Sequence, residues 1–444
     1  MSPADIIVAL AWLAAILGNR DVWIPAVGMA TVILRGLTLR IVNGLDLRKI
    51  EWAIVLFLGY WLLNYSWSTA DLQNLYSFDF LRRDGALLVT YPLFLMLLGW
   101  RLKPKLVRGF WTLFVTCLAL LAIPGAMLAL YLPHPLFFED LHVVGFDYSV
   151  GQDMFFGWYE AHNTSGGVYA IAAIFALALL QEPSRWKRKM FLWFLFLAST
   201  TGLVFTFSRG GYLSLLAGAL LILPVRKLGR LMKIALLAVV PTVALVMMTS
   251  RVLDRIDTIT DPYYGTNAYR LEVWGDAIGA FELSPLVGIG FGRFNDRMVQ
   301  FKGVKHLVWV GVHGEIVNND AHAHNSYLHF LAEGGIIGLA LSLYIWWCAW
   351  TELSLFIQRF QGTALYSLCK AARACLVGGL AMSCTEHILG RGSVILVLMG
   401  IVGMTLACAR REWAVAKAER ERQKAAPSLA SRSRRVSRLP VPAA

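Results

Sequence analysis

The feature that most constrains the fold is a series of long apolar stretches separated by short charged segments. About 20 apolar residues cross the bilayer core as a helix, because a helix satisfies its own backbone hydrogen bonds there. With 57% hydrophobic and only 16% charged residues, the chain is too apolar for a soluble globular protein. The sequence predicts an all-α polytopic membrane protein of about twelve transmembrane helices. The predicted spans lie near residues 4–19, 21–34, 52–68, 84–100, 107–131, 162–180, 190–207, 212–224, 234–250, 325–350, 372–389 and 393–409.

The spans form one predicted membrane domain, residues 1–409, followed by a basic tail, residues 410–444. Span 4–19 has no basic segment before it and no good cleavage site after it, so we interpret it as a retained anchor. The tail is rich in Lys and Arg and poor in apolar residues. This composition predicts a disordered arm that is attracted to anionic membrane lipid.

The distribution of positive charge predicts the orientation of the chain. Most of the 41 lysines and arginines fall on one side of the membrane if the N-terminus is cytoplasmic, whereas residues 133–161, on the other side, contain none. The positive-inside rule then places both termini in the cytoplasm and a long loop, residues 251–324, on the outer side of the membrane. Because the basic residues are divided among short loops, the net charge of +13 does not indicate nucleic-acid binding.

A histidine-rich segment, "NNDAHAHNSYLHFLAEGGIIGLALSLYIWW" (residues 318–347), passes from a polar loop into an apolar helix. Asn325 and Ser326 are good N-cap residues, so His324 is predicted at the outer membrane interface, just before a helix begins. The positive end of the helix dipole favours a neutral imidazole that can accept a proton. His324 is therefore a candidate general base.

Three segments of the chain carry distinctive motifs. His324-Asn325 is followed by nine residues, Gly335, two residues and Gly338. "FSRGGYLSLLAG" (207–218) contains Ser-Arg-Gly-Gly, and "YRLEVWGDAIGAFELSPLVGIGFGRF" (269–294) contains Arg, Trp and Pro-x-x-Gly-x-Gly. Together these motifs resemble those of the O-antigen ligases and of the superfamily that they share with O-antigen polymerases. A fourth stretch, "AHNTSGGVYAIAA" (161–173), is a weaker match to a His-x-Asn element.

The resemblance implies transfer of a glycan from undecaprenyl diphosphate to a sugar hydroxyl of lipid A core or another glycan acceptor. It also implies a fold like that of the multi-span GT-C glycosyltransferases, without a cofactor. His324 would be the catalytic base. Arg209 and Arg270 would grip the diphosphate in place of a metal, because guanidinium groups bind phosphate oxygens in pairs. Asn325, His162 and Asn163 are further candidates for binding substrate.

Other interpretations of these residues remain open. Arg209 could only snorkel, Arg270 could pair with Glu272 or Asp276, and His162 and Asn163 could simply cap a helix. His329 is expected to pair with Glu333 one turn later. Either Asp320 or Glu333 could orient His324. A metal site is an alternative, with possible ligands Asp320, His322, His324, His313 and Glu315.

The sequence also leaves other functions open. A flippase of lipid-linked sugar is one alternative, but Arg209, Arg270 and His324 all map to one predicted surface and not to the midplane. A polymerase of O-antigen or exopolysaccharide would use the same chemistry. Polymerases often carry Arg, ten residues and then Gly in outer loops, and no outward Arg here shows that spacing, which favours a ligase. Glu386 and His387 have no predicted role.

Overall fold

The computed structural model describes residues 38, 47–68, 86–131, 147–149, 154–157, 162–223, 265–294, 308–310, 316–318, 322–390 and 392–425. Most of them are helical. The helices are α1 (Lys49–Ser68), α2 (Leu87–Leu98), α3 (Pro104–Tyr131), α4 (His162–Leu180), α5 (Trp186–Phe205), α6 (Arg209–Ile222), α7 (Gly265–Leu283), α8 (Ser326–Arg359), α9 (Ala364–Met382) and α10 (Ser393–Ala425).

Among the described residues, six helices are long and apolar enough to cross a membrane, namely α3, α4, α5, α8, α9 and α10. Helices α2 and α6 are apolar but shorter, and α1 coincides with predicted span 52–68 without being among the six. The predicted spans 4–19, 21–34 and 234–250 lie outside the described residues. The chain is thus a multi-pass membrane protein, and its count of twelve spans stays a prediction.

Two short antiparallel hairpins accompany the helices, and the regular structure of the described residues is otherwise helical, as predicted. Strand β1 (Asp147–Ser149) pairs with β2 (Met154–Gly157), and β3 (Val308–Val310) pairs with β4 (Ile316–Asn318). The second hairpin belongs to the predicted outer loop 251–324. The same loop contains α7, which ends just before Pro285 as the sequence predicts.

Helix α4 lies at the centre of the bundle and contacts α5, α6 and α9. Its apolar residues are almost all buried, and small residues on its neighbours allow this close packing. A Cβ added at Gly218 of α6 or at Gly378 of α9 would lie within 3 Å of the Ile174 side chain. Glycines at these two positions therefore let both helices approach α4.

Helix α8 is broken by Gly335, whose φ of 60° is outside the helical range. The loop after α7 fills the break, because Ile336 N–H donates to Pro285 O at 2.9 Å and Gly290 N–H donates to Glu333 O at 3.0 Å. The Tyr60 hydroxyl of α1 donates to Gly334 O at 2.6 Å. The apolar run that predicts one continuous span is thus two helical pieces, with the loop and α1 satisfying the backbone groups that the break frees.

A largely buried ion network joins helices α1, α8 and α10. Arg410 pairs with Glu51, and its Nε donates to Glu352 at 2.6 Å. Arg410 also lies in α10, which continues as a helix to Ala425. This corrects the prediction that residues 410–425 are disordered, whereas residues 426–444 lie outside the described residues. The stretch is rich in Ala, Glu, Arg and Lys, which favour helix even without apolar packing.

Candidate active site

Three side chains from distant parts of the chain converge on the carboxylate of Glu386. Arg270 donates from its NH2 group to Oε1 at 2.6 Å, and the Asn163 amide donates to the same oxygen at 2.6 Å. Nδ1 of His324 lies 3.2 Å from Oε2. Glu386 is only 7% exposed, so its charge must be compensated by these partners.

Glu386 lies in the segment between α9 and α10, and sequence reasoning gave it no role. Glu333, one of the two groups expected to orient His324, instead accepts a hydrogen bond from Phe294 N–H at 3.1 Å and pairs with His329 at 3.4 Å. The prediction of a His329–Glu333 contact is confirmed, and Glu333 as the partner of His324 is wrong. Asp320 lies outside the described residues. The available signal for Glu386 was an acidic residue at the end of a predicted span, where ionisable groups are usually functional.

Arg270 is in α7 and reaches Glu386 although 116 residues separate them. Its side chain is 17% exposed, so the pair is largely shielded from water. The sequence offered Glu272 and Asp276 on the same helix as partners. The contact with Glu386 instead brings Arg270 to the same carboxylate as His324.

Asn163 connects the Glu386 cluster to the start of α6. Its Oδ1 accepts a hydrogen bond from Ser208 Oγ at 3.0 Å. Ser208 is the N-cap of α6, and its Oγ also accepts from Gly211 N–H at 3.2 Å. Arg209, the residue after Ser208, is half-buried in the first turn of α6. His162, also half-buried, is the first residue of α4 and neighbours Asn163.

Glycines explain how these segments come so close. A Cβ at Gly210 would lie 2.5 Å from Thr385 Oγ1, and a Cβ at Gly211 would lie 2.9 Å from the backbone of Gly166 in α4. The pair that follows Arg209 therefore lets the start of α6 pack on both α4 and the Glu386 segment. This is a structural reason for the Ser-Arg-Gly-Gly pattern.

Helix α8 begins as the sequence predicts, with Asn325 as its N-cap. The side-chain Oδ1 of Asn325 accepts from the backbone N–H groups of Tyr327 at 2.9 Å and Leu328 at 3.1 Å. Ser326 ties this helix end to the Glu386 segment, because its backbone N–H donates to Ser383 O at 2.8 Å. Its hydroxyl donates to Glu386 O at 3.1 Å. These bonds fix the position of His324 relative to Glu386.

Three helix N-termini thus meet at the cluster: α4 through Asn163, α6 through Ser208 and α8 through His324. Each helix N-terminus carries partial positive charge, so their meeting favours an anion. The residues before two of the caps have left-handed backbones, with φ of 51° at Phe207 and 44° at His324. Non-glycine residues adopt this conformation at a cost of about 1–3 kcal/mol, and such residues concentrate at functional sites.

Further histidines surround His324. The His322 ring centroid lies 4.1 Å from that of His324, and the rings of His329 and His387 are 4.0 Å apart. Metal-ligating atoms of His322, His324 and Glu386 all lie within 4.8 Å of one another, so these residues could hold a metal ion. Asp320, His313 and Glu315, the other ligands considered from the sequence, lie outside the described residues.

The fold and this cluster define a multi-pass membrane protein with a charged site at one end of its helix bundle. Residues 194–343, about a third of the chain, match the O-antigen ligase family. The match confirms the resemblance found in the sequence and indicates a glycosyltransferase-like enzyme of glycan assembly. Arg209, Arg270, His324 and Asn325 fall within it, whereas Asn163 and Glu386 lie outside. Comparison with curated protein sequences gives no match.

Proposed function

We propose that this protein transfers a glycan from undecaprenyl diphosphate to a sugar hydroxyl of an acceptor, as an O-antigen ligase-like enzyme at the periplasmic face of the inner membrane. The observation that carries the proposal is the shared carboxylate, which links a histidine and an arginine where three helix N-termini meet. A base and an anion-binding site at one place are what this transfer needs.

His324 is the proposed base. When Glu386 accepts a hydrogen bond from Nδ1–H, the imidazole is held in the tautomer that carries its basic lone pair on Nε2. Nε2 then takes the proton of the acceptor hydroxyl while the hydroxyl oxygen forms its bond to the anomeric carbon of the glycan. The bond from that carbon to the diphosphate oxygen breaks, and its electron pair leaves with the diphosphate. Glu386 stabilises the imidazolium that results.

Arg209 and Arg270 are the proposed diphosphate clamp. A guanidinium has five N–H donors, so Arg270 can keep its bond to Glu386 and still donate to phosphate oxygens. The helix N-termini add fixed positive potential in a site that is partly shielded from water, where charge stabilisation is strongest. Asn325 and His162 are proposed to contact the substrate. Asn163 is proposed to hold Glu386 and the start of α6 in a fixed position relative to each other.

The residues favour catalysis without a metal ion, because two arginines can supply the positive charge that a metal supplies in many glycosyltransferases. A direct test is transfer by the purified protein from an undecaprenyl-diphosphate-linked glycan to lipid A core, with and without EDTA. We expect His324→Ala to abolish transfer while abundance and membrane insertion stay normal, and EDTA to have no effect. Activity that EDTA removes and a divalent ion restores would contradict the clamp.

The acceptor distinguishes the proposed ligase from the polymerase that shares its chemistry. Deletion of the gene for a ligase leaves long chains on undecaprenyl diphosphate and removes them from lipid A core. Deletion of the gene for a polymerase leaves lipid A core that carries a single glycan repeat. Normal lipopolysaccharide with missing exopolysaccharide would favour an exopolysaccharide polymerase instead.

A further inference from the structure

His322 has no part in the proposed transfer reaction, yet its ring lies 4.1 Å from that of His324. The ligand atoms of His322, His324 and Glu386 lie within 4.8 Å of one another, and all three residues are half-buried or buried. Two imidazoles and one carboxylate are a donor set that binds zinc in proteins and leaves a fourth position open.

Two of the three ligand atoms already have a spacing suitable for zinc. Nδ1 of His324 and Oε2 of Glu386 are 3.2 Å apart. Two nitrogen or oxygen ligands of a tetrahedral zinc ion, each at about 2.0–2.1 Å from it, lie about 3.3 Å from each other. An ion can therefore take the place between these two atoms with little movement. The ligand atom of His322, which lies within 4.8 Å of both, has to come closer to complete the site.

The charges around the site indicate a reversible site. Glu386 gives Oε1 to Arg270 and Asn163, which leaves Oε2 for an ion. The nearby Arg270 cation repels a second cation and weakens binding. A permanently occupied structural zinc site normally has four protein ligands and no such neighbour.

We propose that His322, His324 and Glu386 form a zinc site that inhibits the enzyme. Binding at Nδ1 requires the neutral tautomer whose single ring proton is on Nε2, so the proton moves from Nδ1 to Nε2 through water as the ion binds. Nε2 can no longer accept the proton of the acceptor hydroxyl. The inhibitory consequence rests on the proposed function of His324, whereas metal binding itself does not.

Binding is tested on the purified full-length protein with Co²⁺, whose absorption reports tetrahedral coordination, followed by displacement with Zn²⁺. We expect one saturable site in the wild type. His322→Ala should bind at least about 10–100-fold more weakly, the loss that even an outer-shell partner can cause. Glu282→Gln, which removes an exposed carboxylate of α7, should bind as the wild type does. A wild type without a saturable site, or His322→Ala with unchanged affinity, would overturn the zinc site.

Transfer activity provides the second, separate measurement. In metal-free buffer His322→Ala should keep most of its activity and should then resist zinc concentrations that inhibit the wild type. Zinc that binds at these residues without slowing transfer would refute the inhibitory role, although the zinc site itself would be confirmed. A fully active His324→Ala enzyme would instead refute His324 as the base, whatever the binding data show.

Discussion

Nδ1 of His324 lies 3.2 Å from Oε2 of Glu386, across 62 positions of sequence. His324 stands just before the N-cap of α8 and has a φ of 44°, and Glu386 stands just after the end of α9. Two separate helix ends therefore hold the pair in place. Ser326 bridges these ends with hydrogen bonds to both Ser383 and Glu386. Such a rigid contact is what orients an imidazole for proton transfer.

Glu386→Gln should lower kcat by on the order of 10²–10⁴. The glutamine amide can donate to Nδ1, which would favour the tautomer with a proton on Nε2 and so remove the base. Turnover by the purified variant, with folding checked by thermal unfolding, measures the effect. Glu282→Gln is the matched control and should be near normal.

A double mutant tests whether Glu386 acts through His324. If it does, Glu386→Gln should add little further loss to His324→Ala, because the base is already absent. Multiplicative losses in the double mutant would show that Glu386 contributes separately, for example through Arg270.

Sequence reasoning was most successful where the pattern is local. The apolar run 162–180, the cap at Asn325 and the end of α7 before Pro285 each follow from neighbouring residues, and the structure has all three. The family motifs single out His324 and Arg270, which the structure brings to one carboxylate. The Glu386 cluster could not be predicted in the same way, because its ion pairs and hydrogen bonds join residues that only tertiary packing brings together.

Other differences have identifiable causes. The break at Gly335 is hidden in an apolar run, since hydropathy does not report a positive φ that a docking loop stabilises. The sequence does not predict the helical part of the tail, because a low apolar content is typical of disordered segments. Its Ala, Glu, Lys and Arg composition, with a Lys417–Glu421 pair at 3.9 Å, instead supports a solvated helix.

Arg209→Lys and Arg270→Lys should each lose about 10²–10³ in rate. Lysine keeps the charge but cannot place two parallel N–H groups on phosphate oxygens. Arg293→Lys, in the loop after α7, should lose little. The rate of transfer from the lipid-linked donor is measured for all three variants. Near-normal rates for Arg209→Lys and Arg270→Lys would show that these arginines have a structural role and do not grip the diphosphate. Since both would hold one leaving group, the double variant should be less impaired than the product of the single effects.

Arg410→Met should destabilise the protein by about 3–5 kcal/mol, because it leaves the buried carboxylate of Glu51 without its cation. Arg411→Met is the neighbouring control. Arg411 pairs with Glu412 at 2.6 Å where both side chains are partly exposed, so its loss should cost at most about 1 kcal/mol. Thermal unfolding in detergent compares the two. Equal stability of both variants would contradict a structural role for the buried network.

Gly335→Ala should be strongly destabilising and should also lower activity. Its φ is 60°, and the new Cβ would lie 2.4 Å from the backbone carbon of Leu286. Because the new Cβ would push the loop after α7 away from α8, the loop would lose its hydrogen bonds to α8. Arg270 in α7 would then lose its fixed position relative to His324.

Gly362→Ala is the matched control, because Gly362 has a φ of 77° but no atom within 4 Å of the new Cβ. That variant should lose only the about 1–2 kcal/mol of left-handed strain and keep its activity. If thermal unfolding gives the same loss of stability for both variants, the close docking of the loop on α8 contributes nothing measurable, and backbone strain alone explains the glycine of the motif.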